Sequence, residues 1–193
     1  MAFGTPLVLP EKGFFMIYLM RHGQDDESRF GGWSGYGLTD TGKAQAEKSA
    51  QVLLRKGISH IFSSDLARTK ETAEIAAKKL CLPVTLLPEF REVNNGVLAG
   101  MPKSEAAEKY PGLYFASLDF DESYPNGESP ATFYKRIRLA WANFKAVASE
   151  NKMTPLLVTH GGVINVILCI ENGAEYTNKI MTYKTPYAGI VEI

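Results

Sequence analysis

Short apolar runs, separated by polar and glycine-rich stretches, recur along the 193 residues of this chain. Residues 14–20 are apolar throughout and lead into Arg21-His22-Gly23, which is typical of a strand buried on both faces. Similar runs predict further strands at residues 58–62, 83–87, 155–159 and 189–193. Residues 21–38 contain five glycines and few aliphatic side chains, and this pattern predicts a long loop with a functional role.

Between these runs, apolar side chains spaced three and four positions apart predict helices. The first begins with Asp40 or Thr41 as its cap and ends near residue 55. Its inward face is predicted to comprise Ala46, Ala50, Leu53 and Leu54. Further helices are predicted at residues 67–80, 103–110, 129–150 and 161–171. The longest, which starts at Glu128 or Ser129, is predicted to bury Phe133, Ile137, Leu139, Ala140, Trp141, Phe144 and Val147.

Strands that alternate with helices indicate an α/β fold, a three-layer sandwich in which helices cover both faces of a mostly parallel central sheet. The length of 193 residues suits a single domain, which we expect to span residues 1–193 with a short irregular arm at residues 1–12. In such folds the reactive side chains collect at the carboxyl ends of the strands.

The overall charge and the cysteines exclude several classes of protein. Lys and Arg together number 21, as do Asp and Glu, so the basic excess of a nucleic-acid binder is missing. The apolar run before Arg21 is shorter than the ~20 residues of a membrane-spanning helix and is not flanked like a signal peptide. We therefore expect a cytoplasmic protein without nucleic-acid or membrane partners. Cys81 and Cys169 lack metal-site spacing and are expected to be small buried side chains.

Three of the predicted strands end in clusters of polar side chains. The first is followed by Arg21-His22-Gly23-Gln24, the second by Ser63-Ser64-Asp65-Leu66-Ala67-Arg68, and the fourth by His160-Gly161-Gly162. Because the carboxyl ends of parallel strands share one edge of a sheet, we expect two arginines and two histidines to converge there. The third histidine, His60, lies within a predicted strand and is expected to be structural.

These side chains are suited to a phosphoryl group. Arginine guanidinium groups match phosphate oxygens, and two of them offset a dianion. A neutral imidazole is a competent nucleophile near pH 7 because its ordinary pKa is ~6.5. Gly161 and Gly162 allow close approach of the backbone, and the helix that they begin offers N–H groups to an anion. No metal-ligand set appears in the sequence, so the arginines are expected to replace magnesium.

Six motifs, in the same order along the chain, resemble those of the histidine phosphatase superfamily in its phosphoglycerate mutase-like branch. They are Arg21-His22-Gly23; Leu38-Thr39-Asp40-Thr41-Gly42 with Gln45-Ala46; Ser63-Ser64-Asp65-Leu66-Ala67-Arg68 with Thr72-Ala73; Phe90-Arg91-Glu92; Gly127-Glu128-Ser129; and Thr159-His160-Gly161-Gly162. The resemblance covers about residues 14–170 and implies a phosphatase of the broad-specificity type.

The resemblance implies a role for each polar side chain. His22 would attack phosphorus and carry a phosphohistidine, and Arg21, Arg68 and His160 would hold the phosphoryl group. Glu92 would protonate the leaving alcohol and then deprotonate the attacking water. The candidate catalytic residues are therefore His22, Glu92, Arg21, Arg68 and His160. The candidate substrate-binding residues are Arg21, Gln24, Ser28, Arg68, Glu92, His160 and Gly161.

Two segments leave alternatives open. The family commonly has Thr or Ser two residues after the glycine of Arg21-His22-Gly23 and Asn three residues further on, whereas this chain has Asp25 and Ser28. Together with Asp26-Glu27, Asp25 either faces solvent or selects against polyanionic substrates, because like charges disfavour a dianion. The aromatic-rich stretch at residues 110–124 either roofs the pocket or packs on the core.

The sequence thus predicts a metal-independent phosphatase that hydrolyses small-molecule phosphomonoesters without a cofactor. A cofactor-dependent phosphoglycerate mutase is the first alternative, and a non-catalytic phospho-ligand-binding module is the second. The compact middle region favours hydrolysis, because the family's mutases resemble larger chains there and a mutase must exclude water from its intermediate. The presence of every candidate catalytic side chain favours an enzyme over a binding module. The natural substrate and the oligomeric state stay open.

Overall fold

The computed structural model describes residues 16–193, and within them a single sheet of five strands forms the centre of the molecule. The strands are β1 (Tyr18–Arg21), β2 (His60–Ser63), β3 (Val84–Leu86), β4 (Pro155–Thr159) and β5 (Ile190–Glu192). They lie in the order β3-β2-β4-β1-β5, and only β5 runs antiparallel to its neighbour. The predicted arm at residues 1–12 and the start of the first predicted strand lie outside the described residues.

Five α-helices are present in the same part of the chain. They are α1 (Asp40–Leu53), α2 (Ala67–Leu80), α3 (Lys103–Lys109), α4 (Pro130–Glu150) and α5 (Gly161–Glu171). Two 3₁₀ turns, Pro88–Phe90 and Gly96–Leu98, interrupt the long connection between β3 and α3. Between residues 16 and 193, no helix combines the length and the apolar character needed to cross a membrane.

The helices form a layer on each face of the sheet because successive strand residues point to opposite faces. Met20 and Val158 pack with Ala50 of α1 and Ala73 of α2. Leu19 and Leu157 pack on the other face with side chains of α4 and α5, which include Phe133, Ile137, Val163 and Ile167. This arrangement confirms the predicted three-layer α/β fold.

Local hydrogen bonds decide where the helices begin. Thr39, rather than the predicted Asp40 or Thr41, caps α1, because its Oγ1 accepts from the Gly42 amide at 3.0 Å. Ser129 caps α4, and it exchanges reciprocal side-chain and backbone hydrogen bonds with Thr132. This arrangement is a capping box, and it provides hydrogen-bond partners for backbone amide groups that have none inside the helix.

Three apolar side chains expected to face inward are exposed instead. Leu54 is 46% exposed because it follows the last residue of α1, where the chain turns toward Gly57. On α4, Leu139 and Val147 are 64% and 48% exposed, because they lie at the edge of an apolar stripe that is wider than the face packed on the sheet. The stripe alone therefore overestimates the buried face of this helix.

The two free cysteines differ in their surroundings. Cys169 of α5 is buried, as expected. Cys81 is exposed, so its predicted burial is wrong. It follows α2 in the left-handed backbone conformation that ends many helices, with φ of 55°, and this turn directs it away from the core.

Candidate active site

The carboxyl ends of β1, β2 and β4 meet at one edge of the sheet. Arg21 of β1 is paired with Thr159 of β4, so the residues that follow them, His22 and His160, come together. Their ring centroids lie 5.2 Å apart in an edge-on arrangement. Of the two arginines and two histidines expected at this edge, Arg21, His22 and Arg68 line one cleft of about 250 Å³, whereas His160 is buried beside His22. Glu92 also lines this cleft. His60 lies elsewhere, exposed at the start of β2 and hydrogen-bonded to Ser59.

The imidazole of His22 is held in one tautomer. Its Nδ1 lies 2.7 Å from the carbonyl oxygen of Gly23, and because a carbonyl only accepts, Nδ1 carries the proton. The lone pair is therefore on Nε2, which accepts from Nε of Arg68 at 3.3 Å. His22 is 5% exposed, and burial, followed by the charge of Arg68, lowers its pKa well below 6.5. The result is a neutral imidazole whose lone pair lies on Nε2, beside Arg68, which is the nucleophilic form.

Close backbone packing positions His22. A Cβ atom on Gly23 would overlap the carbonyl of Gly42 in α1, and a Cβ atom on Gly42 would overlap the backbone of Gln24. The Gly23 amide also donates to Oγ1 of Thr72 in α2 at 3.1 Å. The segment after β1 is thus fixed against both helices of one layer, which explains the glycines at these two positions.

The guanidinium group of Arg68 lies beside the nucleophile. Arg68 is 2% exposed in the first turn of α2. Its Nη2 donates to the carbonyl oxygen of Gly32 at 2.8 Å, and its Nη1 lies 3.3 Å from Oγ of Ser34. Gly32 and Ser34 belong to the long loop that the glycine content predicts, and their contacts orient the guanidinium group of Arg68.

The guanidinium group of Arg21 also lines the cleft and lies over the ring of Tyr187. Its Nη1 donates to the carbonyl oxygen of Thr185 at 2.8 Å, and its centre lies 3.9 Å from the Tyr187 ring centroid. Its Nε is buried and has no hydrogen-bond partner among the described residues. A Cβ atom on Gly161 would lie 3.4 Å from this Nε, so the glycine leaves the space beside it open.

His160 is fully buried between β4 and α5. Its Nε2 lies 3.0 Å from Oγ of Ser64, while its Nδ1 has no partner among residues 16–193. Burial, followed by the charge of Arg68, lowers its pKa well below 6.5. Ser64 belongs to a recognised motif but was absent from the predicted site residues, and its contact with His160 gives it a positioning role.

Glu92 reaches the cleft from the connection that follows β3. Its Oε2 accepts from the Gly162 amide at 3.0 Å, and its Oε1 accepts from the Val93 amide at 3.1 Å. The amide at the start of α5 that the sequence suggested for an anionic ligand is thus bonded to Glu92. A Cβ atom on Gly162 would overlap the carboxylate, so this glycine is required for the approach of Glu92.

Arg136 of α4 supports the backbone around Glu92, and the sequence did not single it out. It forms a two-pronged ion pair with Glu128 at 2.7 Å and donates to the carbonyl oxygens of Arg91 and Glu92. The Gly127-Glu128-Ser129 motif therefore contributes both a helix cap and an anchor for this arginine. An arginine on the polar face of a helix carries no local signal of such a contact.

Four of the predicted substrate-binding residues are not among those that line the cleft: Gln24, Ser28, His160 and Gly161. The side chain of Gln24 contacts Glu27 and Thr39. Ser28 is exposed, and its Oγ donates to Asp26 at 2.6 Å. Their assignment to substrate binding stays a prediction.

The acidic segment is divided between cleft and solvent. The Asp25 carboxylate faces the cleft and lies 3.5 Å from Nε of Arg68, whereas Asp26 and Glu27 are exposed at the rim. Glu27 accepts from the hydroxyl of Tyr187 at 3.1 Å.

Burial raises the pKa of Tyr187 to about 12, so this hydroxyl keeps its proton. Tyr187 was missed because the irregular segment before β5 gives no sequence signal of its position.

Comparisons with known proteins agree with this geometry. The family model described as the histidine phosphatase superfamily (branch 1) matches residues 17–192. The protein named "Probable phosphoglycerate mutase GpmB" from Erwinia tasmaniensis is 33% identical over 157 residues, which cover 79% of this chain and 72% of that relative. Its namesake from Yersinia enterocolitica is 34% identical over the same shares.

A solved structure shows the same fold. The native structure of a mycobacterial glucosyl-3-phosphoglycerate phosphatase superimposes with a TM-score of 0.76 at 27% identity, covering 92% of this chain and 88% of that one. The relatives of this chain thus carry the names of mutases and of phosphatases. The match over nearly the whole described chain and the motifs at the cleft lead to one conclusion: the protein belongs to the histidine phosphatase superfamily.

Proposed function

We propose that this protein is a metal-independent phosphomonoesterase that works through a phosphohistidine on Nε2 of His22. The observation that carries the proposal is a pair of orphaned polar atoms, Nε of Arg21 and Nδ1 of His160, which are buried without partners among the described residues. Buried polar atoms of folded proteins are nearly always bonded. A phosphoryl group beside His22 would supply the missing partners.

In the first step, Nε2 of His22 attacks phosphorus as the bond to the leaving oxygen breaks. Arg21 and Arg68 offset the charge that builds on the equatorial oxygens. Glu92 gives its proton to the leaving alcohol, which therefore departs as a neutral molecule. The products of this step are the free alcohol and the phosphohistidine.

In the second step, water attacks phosphorus and the bond to Nε2 breaks. The Glu92 carboxylate takes a proton from the water, which restores the acid for the next cycle. Inorganic phosphate leaves, and His22 returns to its neutral tautomer because Nδ1 has kept its proton on the Gly23 carbonyl. The two half-reactions thus use the same residues in opposite directions.

Phosphoglycerate mutase activity is the second candidate, and it is favoured by the names of the relatives at 33% and 34% identity. The same phosphohistidine would then return the phosphoryl group to a phosphoglycerate hydroxyl rather than to water. A product assay with 3-phosphoglycerate and a bisphosphoglycerate primer separates the two: inorganic phosphate identifies the phosphatase, and 2-phosphoglycerate identifies the mutase.

The nucleophile is tested with 4-nitrophenyl phosphate in the presence of EDTA. His22→Ala is expected to lower kcat by about 10³-fold or more, because the covalent route is lost. His60→Ala is the matched control and should retain the wild-type rate, since His60 is exposed outside the cleft. Equal rates for His22→Ala and wild type would refute the mechanism, and full loss of activity in EDTA would refute metal independence.

A further inference from the structure

A second cavity of about 300 Å³ joins the catalytic cleft. The two share the side chains of Phe30 and Glu92 and the backbone of Gly31 and Gly32. Since Glu92 is the proposed acid for the leaving oxygen, an ester whose phosphoryl group lies against His22 would place its alcohol portion in this second cavity. We call it the aromatic pocket, after its lining of Tyr114, Phe115, Tyr124, Phe133 and Tyr176.

The aromatic rings form a packed wall. Phe115 lies edge-on to Phe133 with centroids 6.0 Å apart and is stacked on Tyr124 at 6.4 Å. Tyr176 is stacked on Tyr134 at 5.0 Å. Within the aromatic-rich stretch at residues 110–124, Leu118 is buried in the core, whereas Tyr114 and Phe115 line the pocket. Such surfaces favour flat or ring-shaped groups.

The pocket contains no cation to receive an anionic group. None of the described residues that line it is Lys, Arg or His, and Glu92 is its one acidic side chain. The neighbouring Lys179 directs its amino group to the carbonyl oxygen of Leu118 at 2.6 Å. A carboxylate or second phosphate in this pocket would therefore lose water without gaining a charged partner, which is unfavourable.

One polar group in the pocket lacks a partner. Asn95 is 4% exposed, and its Oδ1 has no hydrogen-bond partner among the described residues. It lies against Gly32, where a Cβ atom would overlap the amide. By contrast, Asn165 accepts from the Tyr183 amide, and Asn178 donates to two carbonyl groups. Asn95 thus gives the lining of the pocket a hydrogen-bond acceptor that no described residue uses.

We infer that the aromatic pocket binds the alcohol portion of the substrate and selects an uncharged, ring-bearing alcohol with a hydrogen-bonding group. This inference rests on the proposed phosphatase function and adds the substrate class. It also gives a physical reason for discrimination against phosphoglycerates, whose carboxylate would enter a pocket without a cation.

The charge selection is tested with two aryl esters of nearly equal shape, 4-carbamoylphenyl phosphate and 4-carboxyphenyl phosphate. We expect kcat/KM of the wild-type protein to be at least about tenfold higher for the neutral amide, which corresponds to ~1.4 kcal/mol. Equal values, or a preference for the carboxylate, would overturn the inference while leaving the phosphatase proposal intact. Hydrolysis of neither ester would overturn both.

A charge introduced at the pocket provides the matched test. Ile180 lines the pocket and is 68% exposed, while Leu139 on α4 is 64% exposed and does not line it. Ile180→Lys should raise kcat/KM for the carboxylate ester about threefold or more, and Leu139→Lys should leave the ratio of the two esters unchanged. An equal change in both variants would indicate a general charge effect and overturn the assignment of the pocket.

The ring selection is tested with three primary alkyl phosphates: 2-phenylethyl phosphate, glucose 6-phosphate and n-butyl phosphate. Either ring-bearing ester should exceed n-butyl phosphate in kcat/KM, and the better of the two identifies an aromatic or a sugar ring as the preferred group. An n-butyl phosphate that is hydrolysed as efficiently as both would refute ring selection.

Discussion

The imidazole of His22 receives its orientation from groups that lie far apart in sequence. The Gly23 carbonyl fixes its tautomer, Arg68 contacts its reactive nitrogen, and Thr159 accepts from its backbone amide at 2.9 Å. The positions of Arg21, His22, Arg68 and His160 near the carboxyl ends of strands could be predicted, because each lies in a short local motif. Glu92 could be chosen only from the family resemblance, and the catalytic roles of all five residues stay predictions. The contacts of Tyr187, Asn95 and Arg136 could not be predicted, because they depend on how distant segments pack.

The sequence left open whether Asp25 faces solvent or selects against polyanionic substrates, and the structure places its carboxylate in the cleft. Its carboxylate lies 3.5 Å from Nε of Arg68, so it offsets a charge that a phosphate dianion would otherwise use. We expect Asp25→Asn to bind inorganic phosphate more tightly, with a three- to tenfold lower inhibition constant for phosphate in a hydrolysis assay.

Asp26→Asn is the control for this prediction. Asp26 is exposed and bonds to Ser28 and Arg29 rather than to the catalytic arginine. Its substitution should change phosphate inhibition less than twofold. If the two variants behaved alike, the effect would come from the net charge of the segment and not from the contact with Arg68.

At the scale of elements, the sequence predicted the five α-helices of residues 16–193, but not the two 3₁₀ turns. The ends of the helices depend on single hydrogen bonds. The predicted spans of α2 and α5 match the structure, and α4 differs only at its start. Helix faces were less predictable, since Leu139 and Val147 continue the apolar stripe of α4 yet are exposed. Apolar periodicity is a property of one helix, whereas the burial of its side chains depends on how much of the helix surface the sheet and the adjacent helices cover.

The cap of α4 should contribute measurably to stability. Ser129→Ala removes the side-chain oxygen that accepts from the Thr132 amide at 3.1 Å, and we expect the free energy of unfolding to fall by about 1 kcal/mol. Ser149→Ala, at an exposed position near the end of the same helix, should change it by less than about 0.5 kcal/mol. Urea denaturation measures both, and equal losses would contradict the capping role.

At the scale of the whole molecule, two histidines are buried as neutral groups at the edge of the sheet. Burial lowers the pKa of both His22 and His160 well below 6.5, and Arg68 acts in the same direction. In the unfolded chain these histidines take up protons near pH 6.5, whereas in the folded protein they do so only at lower pH. Acidification below about pH 6.5 therefore favours unfolding.

We expect the free energy of unfolding to decrease from pH 6.5 to pH 5 with a slope of up to about 1.4 kcal/mol per pH unit for each buried histidine. Urea denaturation across pH 5.0–7.5 measures the slope at pH values above the ordinary pKa of Asp and Glu carboxyl groups. His22→Asn should reduce the slope by about half, because one of the two buried histidines is removed. An unaltered slope in His22→Asn would show that His22 is not buried as a neutral group.

The sequence by itself determined the α/β class, the alternation of strands and helices, and the polar motifs that follow strands β1, β2 and β4. These features are local, because periodicity and strand-end motifs depend on neighbouring residues. Only the tertiary structure decided the strand order, the contact between Asp25 and Arg68, and the union of Tyr114, Phe115 and Tyr176 with Asn95 beside Glu92. The physical reason is that a binding pocket is built from side chains brought together by packing, which no short stretch of sequence encodes alone.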